Sequence, residues 1–313
     1  MKKTFFHYAM ALCLGLCLTA CSDDEESAPN YGINLPAAKY ADKAVSLTIS
    51  NPSAVSVTPA AAGSASVPTL QGVNITEGGM AVFETVLNGS KKYAAAEVSI
   101  NGDTYTLANG KGTIVVTSGR AESTVRLNIN VTIDIAGVGT FTYSTQGNSV
   151  DATEESNTAS GGQVLDYMGR AWDLEAITLD LKGDVDAFRI FKNGDLKAIR
   201  DYAIDQGASI SAEESKEFNR VITSINITKT GLMTINYDDG RVDAASWEWI
   251  DTENFTKLGI TFKDFDMGNK FLNNESAIEV KFSEDMCLLV IGTKITGSKN
   301  YDASVSIRLR ARK

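Results

Sequence analysis

Residues 123–133, with the sequence STVRLNINVTI, decide the fold of this chain. From Thr124 onward, apolar and polar side chains alternate without exception. The apolar set is Val125, Leu127, Ile129, Val131 and Ile133, and the polar set is Arg126, Asn128, Asn130 and Thr132. A period of two is typical of an antiparallel strand with one buried and one solvated face. The stretch therefore predicts a β-rich protein.

Segments on either side extend this pattern into an N-terminal all-β domain at residues 40–146. A strand at residues 80–87 would place Met80, Val82, Glu84 and Val86 on one face and Ala81, Phe83, Thr85 and Leu87 on the other. Asn101-Gly102-Asp103 and Asn109-Gly110 are turn signals between short runs with strand character. We expect hairpins at both places.

A polar stretch follows this domain. Residues 147–162 read GNSVDATEESNTASGG and contain almost no large apolar side chain. Such a composition buries too little surface to offset the entropy of ordering. We predict a linker over 147–162.

The remaining residues, 163–313, predict a second antiparallel domain. A helical stripe containing Leu196 and Ile199 follows Asn193-Gly194-Asp195, and seven short alternating runs then lie between residues 221 and 309. The predicted fold class is mainly β, with two antiparallel β-rich domains. The second is a meander barrel or sandwich with one or two short helices.

The N-terminal residues have the organisation of an export signal. Lys2 and Lys3 precede an apolar run at residues 5–19 that is short for a membrane span. The run ends in Leu18-Thr19-Ala20-Cys21, which resembles the lipobox of bacterial lipoproteins. The resemblance implies that residues 1–20 are a removed signal peptide. It also implies that lipidated Cys21 anchors the protein in the outer membrane.

An acidic tether is predicted at residues 21–39. It begins with Ser22-Asp23-Asp24-Glu25-Glu26, which resembles the surface-export signal of Bacteroidetes lipoproteins. That resemblance implies a cell-surface location; the alternative is an anchor that faces the periplasm. With a net charge of -10, the chain lacks the excess of basic residues that is typical of nucleic-acid-binding proteins.

Two features of the second domain resemble calycin (lipocalin-like) domains. They are Trp172-Asp173-Leu174 at the entry to a strand, and the long meander that ends in residues 288–295 and 305–309. The chain departs from the lipocalin G-x-W pattern, because Gly169 stands three residues before Trp172. Residues 100–116 are also similar to uncharacterised Bacteroidetes lipoproteins. These resemblances imply a barrel with an internal ligand but no defined reaction.

Histidine usage excludes several kinds of catalysis. The single histidine, His7, lies within the predicted signal peptide. The mature chain would therefore have no Ser-His-Asp or Cys-His site and no histidine metal ligand. Cys287 lies in an apolar run and is expected to be a buried side chain. We expect no catalytic residue, metal or cofactor.

Two groups of residues are candidates for ligand binding. Trp247 and Trp249 share one face of a predicted strand, with Asp251 next on that face. They could form an exposed platform for a glycan, line an apolar pocket or belong to the core. Arg308 and Arg310 share one face of the last strand, where they could grip an anion inside a barrel or lie in solvent.

The favoured function is therefore non-enzymatic binding of a small apolar molecule or a glycan at the cell surface. A structural, adhesive or accessory subunit of an outer-membrane complex is the alternative. It would bring an outer-membrane protein partner and strand exchange at a sheet edge.

Overall fold

The fold is described from a computed structural model. It describes residues 45–60, 66–76, 78–119, 124–154, 168–184, 186–205, 212–228, 230–251, 257–262, 278–283, 286–295 and 300–312. The predicted signal peptide, Cys21 and the acidic tether lie outside these residues. Within them, no helix is both long enough and apolar enough to cross a membrane.

Ten strands form a first antiparallel sheet. They are β1 (Val45–Ile49), β2 (Ser56–Pro59), β3 (Thr69–Thr76), β4 (Met80–Leu87), β5 (Ser90–Asn101), β6 (Thr104–Leu107), β7 (Gly112–Ser118), β8 (Thr124–Ile135), β9 (Gly139–Ser144) and β10 (Val150–Glu154). Short 3-10 turns lie at Pro52–Ala54 and Ala108–Gly110.

Nine strands and two short helices follow. They are β11 (Ala171–Gly183), β12 (Ala187–Lys192), α1 (Leu196–Asp205), α2 (Ala212–Glu217), β13 (Ile222–Ile227), β14 (Leu232–Tyr237), β15 (Val242–Trp249), β16 (Lys257–Phe262), β17 (Ile278–Ser283), β18 (Met286–Ile295) and β19 (Tyr301–Ala311). The prediction of a mainly β, antiparallel protein is confirmed.

The first sheet closes on itself through β8. The strand order is β10-β1-β3-β4-β5-β6-β7-β8-β9-β2, and β10 also pairs with β8. One edge of β8 bonds to β7, and the other is shared by β10 near its start and β9 near its end. A ring of eight strands results, which we call the first barrel; β9 and β2 branch from it.

The alternating stretch that predicted the fold lies in β8 and fills this barrel. Leu127, Ile129, Val131 and Ile133 are all buried in one core cluster, while Asn128 and Asn130 are exposed. The Gly102-Asp103 turn joins β5 to β6 as predicted, with Asn101 opposite Thr104. The alternation of apolar and polar residues at 123–133 therefore predicted the buried face of this strand correctly.

The predicted linker requires a correction. Residues 150–154 form β10, which pairs with β1 on one edge and β8 on the other. Val150 and Ala152 point into the first core, and Asp151 and Thr153 point outward. Backbone hydrogen bonds on both edges hold a segment whose side chains alone would not order it. Residues 155–162 of the predicted linker lie outside the described residues.

The second sheet also closes, and it is a barrel rather than a sandwich. Its order is β12-β11-β13-β14-β15-β16-β17-β18-β19, and β19 also pairs with β11. This closing pairing runs from Trp172 opposite Ala311 to Gly183 opposite Tyr301. Eight strands form the ring, which we call the second barrel, and β12 branches from β11.

The predicted helix begins where the sequence indicated. The Asp195 side chain accepts a hydrogen bond of 3.1 Å from the Ala198 amide and so caps α1. Leu196 and Ile199 are buried. On the same helix, Tyr202 packs against Phe191 of β12, with ring centroids 5.8 Å apart. The helix therefore covers one face of β12.

The compact units of the chain do not follow the predicted boundary at residue 163. One unit contains Trp172–Ile225 and Ala245–Ala311, whereas Asn226–Ala244 belongs to the unit of the first barrel. Within that unit, Leu232 and Ala244 join a small buried cluster with Val82 and Tyr93. All six residues of β14 are buried, so this strand has no exposed face, and its polar residues Thr234 and Asn236 are buried too.

Candidate ligand-binding site inside the second barrel

Strand β15 places two tryptophans inside the second barrel. Its last residues alternate, with Ala245, Trp247 and Trp249 buried and Glu248 exposed. Inward residues of a closed barrel are the ones removed from water, so both indoles face the interior. The sequence predicted that they share a face, and the structure shows which face it is.

The burial of both rings overturns one hypothesis. Trp247 is 4% exposed and Trp249 is 6% exposed. Their planes cross at 89° and their centroids lie 5.8 Å apart. A sugar-stacking platform needs an exposed ring face, so an exposed glycan platform at this pair is wrong.

The surroundings of the indoles are apolar. On the neighbouring strand β16, Ile260 lies opposite Trp247 and Leu258 lies opposite Trp249. Further round the same wall the buried side chains are again uncharged. They are Ile278, Val280, Cys287, Leu289, Val305, Ile307 and Leu309. An uncharged wall of this kind suits an apolar molecule and would leave an ion without a counter-charge.

The indole nitrogens are polar atoms within this apolar interior, and that of Trp247 has a special position. The Nε1 donor of Trp247 is buried and has no hydrogen-bond partner among the described residues. In the first barrel, by contrast, the buried Tyr143 hydroxyl donates to the Pro68 carbonyl at 3.1 Å. A buried donor without a partner costs about 1–3 kcal/mol. The indole N–H is therefore a position where an acceptor would stabilise the protein.

Asp251 lies just beyond the end of β15. It is half-buried, and its backbone amide donates to the Lys257 carbonyl at 3.3 Å, next to the bond from Ile250 to the same carbonyl. These bonds close the end of the β15–β16 pairing. The predicted role of Asp251 in ligand binding stays a prediction.

The two candidate arginines do not line the barrel. Val305, Ile307 and Leu309 take the inward positions of β19, and Arg308 and Arg310 are exposed between them. Arg310 forms an ion pair with Glu175 of β11 on the outer surface. The hypothesis that this pair grips an anion inside the barrel is wrong, because period-two alternation sends the guanidinium groups outward.

Cys287 is buried in the same wall, as the sequence predicted. Burial raises the pKa of its thiol far above the ordinary value of 9.0. Since the thiolate is the nucleophilic form, this cysteine is a small apolar side chain of the wall. Within the described ranges, no three metal-ligating side chains come together.

The sequence reasoning missed one feature of this domain. Phe188 and Ile190 of β12 are exposed, at 58% and 52%. The sequence pattern that could have predicted this feature is the spacing of Phe188 and Ile190 by two residues, which places both on one face of a short strand.

Comparisons with known proteins identify no family for this chain. No family model matches it, and no curated protein matches it. Three solved structures share 8% sequence identity with it.

The first of these structures is a protein of unknown function from the DUF3598 family of Nostoc punctiforme. It covers 86% of this chain and 95% of its own chain, with a TM-score of 0.22. The second is the di-domain ARO/CYC BexL from the BE-7585A biosynthetic pathway, with 82% and 73% coverage and a TM-score of 0.16. The third is a porin-like protein from Bacteroides uniformis, with 86% and 96% coverage and a TM-score of 0.18. Scores this low carry no argument about fold or function.

Proposed function

We propose that the second barrel binds one small, uncharged, mostly apolar molecule that carries an oxygen acceptor. The observation that carries this proposal is the buried Trp247 N–H, which lacks a partner among the described residues. A carbonyl or hydroxyl oxygen on the ligand would accept from it. Eight-stranded barrels are wide enough either to be filled by side chains or to hold one small ligand.

The wall around the donor supports an uncharged ligand. Leu258 and Ile260 lie opposite the indoles on the neighbouring strand. The buried residues described on β17, β18 and β19 are apolar, apart from Cys287, whose thiol is neutral. Each methylene of a ligand moved from water to such a wall contributes about 0.8 kcal/mol. Affinity would come from this burial, and orientation from the single hydrogen bond.

We further propose that the chain is a lipoprotein held in the outer membrane through Cys21, with its folded part at the cell surface. The lipobox-like Leu18-Thr19-Ala20-Cys21 and the acidic residues that follow it support this location. An acyl anchor with more than one chain is stable in a bilayer without a transmembrane segment. The ligand-binding barrel would then face the exterior.

Two uncharged fluorescent probes test the binding site. Prodan carries a ketone oxygen, and N-phenyl-1-naphthylamine carries no oxygen. We expect both to bind and brighten, and Trp247→Phe to weaken Prodan by about 5- to 30-fold, the equivalent of one hydrogen bond. The same change should move the affinity of the second probe by less than about two-fold.

Arg308→Ser provides the control for this experiment, because Arg308 is exposed on the same barrel. It should leave both affinities unchanged. Absence of saturable binding by either probe, or an equal loss of both in Trp247→Phe, would contradict the assigned ligand chemistry.

The anchor is tested separately with full-length protein expressed in its host and labelled with a palmitate analogue. The wild type should carry label and partition with membranes. Cys21→Ala should lose the label. Added protease should degrade the protein on intact cells if it faces the exterior; protection would place it on the periplasmic side.

A further inference from the structure

We infer that β12 is a self-association edge, through which two copies of this chain pair antiparallel and join their sheets. This proposal is independent of the ligand and of the lipid anchor. It depends on three observations: an available strand edge, an exposed apolar pair and a self-complementary order of charges.

The edge is the first observation. In the part of the chain that the structure describes, β12 pairs with β11 alone and stands at the end of the strand order. No other described strand bonds to its far edge, and at the end of that edge the Lys192 carbonyl accepts a hydrogen bond of 3.4 Å from the Asp195 amide. Unprotected edges of this kind are templates for pairing with a second chain.

The apolar pair is the second observation. Phe188 and Ile190 lie on one face of β12, opposite Asp180 and Thr178 of β11, and each is more than half exposed. The other face of β12 is already occupied, since Phe191 packs against Tyr202 of α1. Exposed sheet edges are usually protected by charged residues, whereas this face of β12 presents two large apolar side chains.

The order of charges is the third observation, and it specifies the partner. On the face of Phe188 and Ile190, Asp186 stands at one end and Lys192 at the other. In an antiparallel pair with Arg189 at the two-fold axis, each Phe188 faces the partner's Ile190. Each Asp186 then faces the partner's Lys192. Both relationships occur twice, as a two-fold interface requires.

The positions of Asp186 and Arg189 are both compatible with this pairing. Asp186 accepts a hydrogen bond from the Gly183 amide at 3.3 Å, which fixes it at the start of β12. Arg189 would meet its own copy across the axis, but its guanidinium lies 5.4 Å from the centre of the Tyr202 ring. This cation–π contact draws the two like charges toward α1 and away from the axis.

The size of the interface indicates how strong the pairing is. Six residues of β12 contribute one strand to each side. A contact of this size falls among small, transient interfaces rather than obligate ones. We expect a reversible dimer whose population depends on concentration.

Cysteine crosslinking tests the pairing and its register in the full chain. Residues directly opposite in an antiparallel pair have Cα atoms about 4.5–5.5 Å apart, within disulfide range. Arg189→Cys should therefore give a disulfide-linked dimer under mild oxidation. Lys182→Cys, also at an exposed position but on β11, is the matched control and should remain monomeric.

A second pair of substitutions keeps the native arginine. Phe188→Asp with Ile190→Asp places carboxylates opposite each other at both symmetric positions. Because both positions are exposed, circular dichroism and thermal unfolding should stay unchanged. Sedimentation of the full chain should show a dimer dissociation constant raised by about ten-fold or more.

Three results would overturn the inference. One is equal crosslinking of Arg189→Cys and Lys182→Cys. Another is a wild-type chain that sediments as a monomer at every concentration. The third is a dimer that persists in Phe188→Asp/Ile190→Asp, because it would have to use another surface.

Discussion

The indole planes of Trp247 and Trp249 cross at 89° inside the second barrel, with centroids 5.8 Å apart. The two residues belong to one strand and are separated by the exposed Glu248. Edge-to-face aromatic pairs contribute about 0.5–1.5 kcal/mol beyond the burial of their area. The pair is thus part of the core and at the same time brings indole N–H donors into the proposed ligand wall.

Tryptophan fluorescence should be blue-shifted and protected from acrylamide. The chain has three tryptophans, and all three are buried: Trp172, Trp247 and Trp249. Steady-state emission of the native protein, compared with the urea-unfolded protein, measures this directly. A readily quenched, red-shifted native component would show that at least one indole is in water.

Replacement of Gly112 by alanine should destabilise the first barrel by about 2 kcal/mol or more. Gly112 has a φ of +116°, and a Cβ there would lie 1.9 Å from the Asn130 carbonyl oxygen on β8. Urea unfolding followed by circular dichroism gives the free energy. Gly292→Ala on β18 is the control, since a Cβ at that position meets nothing within 4 Å. Equal stability of the two variants would contradict the close approach of β7 and β8.

Tyr143→Phe should lower the free energy of unfolding by about 1–2 kcal/mol. The change removes the buried hydroxyl that donates to the Pro68 carbonyl and leaves that carbonyl without this donor. Thermal and urea unfolding measure the loss. A neutral effect would mean that water reaches the carbonyl.

Stability should decline as the pH rises above about 9. Burial raises the pKa of Cys287, and it raises the pKa of Tyr143 as well, from ordinary values of 9.0 and 10.0. Above these ordinary values the unfolded chain loses protons that the folded chain keeps, so the unfolded state is favoured. Each group contributes a slope of up to about 1.4 kcal/mol per pH unit.

Urea unfolding at pH 7, 9 and 10.5 checks this decline, and Cys287→Ala should reduce its slope between pH 9 and 10. A thiol reagent should react with native Cys287 slowly and with the unfolded chain rapidly. Fast reaction in the native state would show that the thiol is accessible.

Local sequence patterns predicted most strands and turns, and in β8 also the buried face, but they could not show which face of β15 lies inside the barrel. Gly102-Asp103 identifies a hairpin because backbone conformation there depends on neighbouring residues alone. The Trp247 and Trp249 pattern has the same period whether the rings face water or the core. Only the closure of the ring by β11 and β19 decides between the two.

Two features of the strands could not be predicted from local sequence: the existence of β10 and the burial of both faces of β14. In β10 the side chains are mostly small or polar, and its order comes from backbone bonds to β1 and β8, which no composition reveals. The alternation at residues 232–237 predicted β14, but it could not show that both faces of this strand are buried. Long-range pairing and burial on both faces are properties of the assembled fold.

Closure of each ring joins segments that leave the ribosome far apart in time. Ile49 pairs with Ala152, and Trp172 pairs with Ala311. A nascent chain that has reached β9 or β18 holds most of a barrel but displays two open edges. Only the arrival of β10 or β19 removes them. Before the closing strand arrives, the open edges make the chain most prone to pair with another copy. The long sequence separation between the paired strands also makes folding slow.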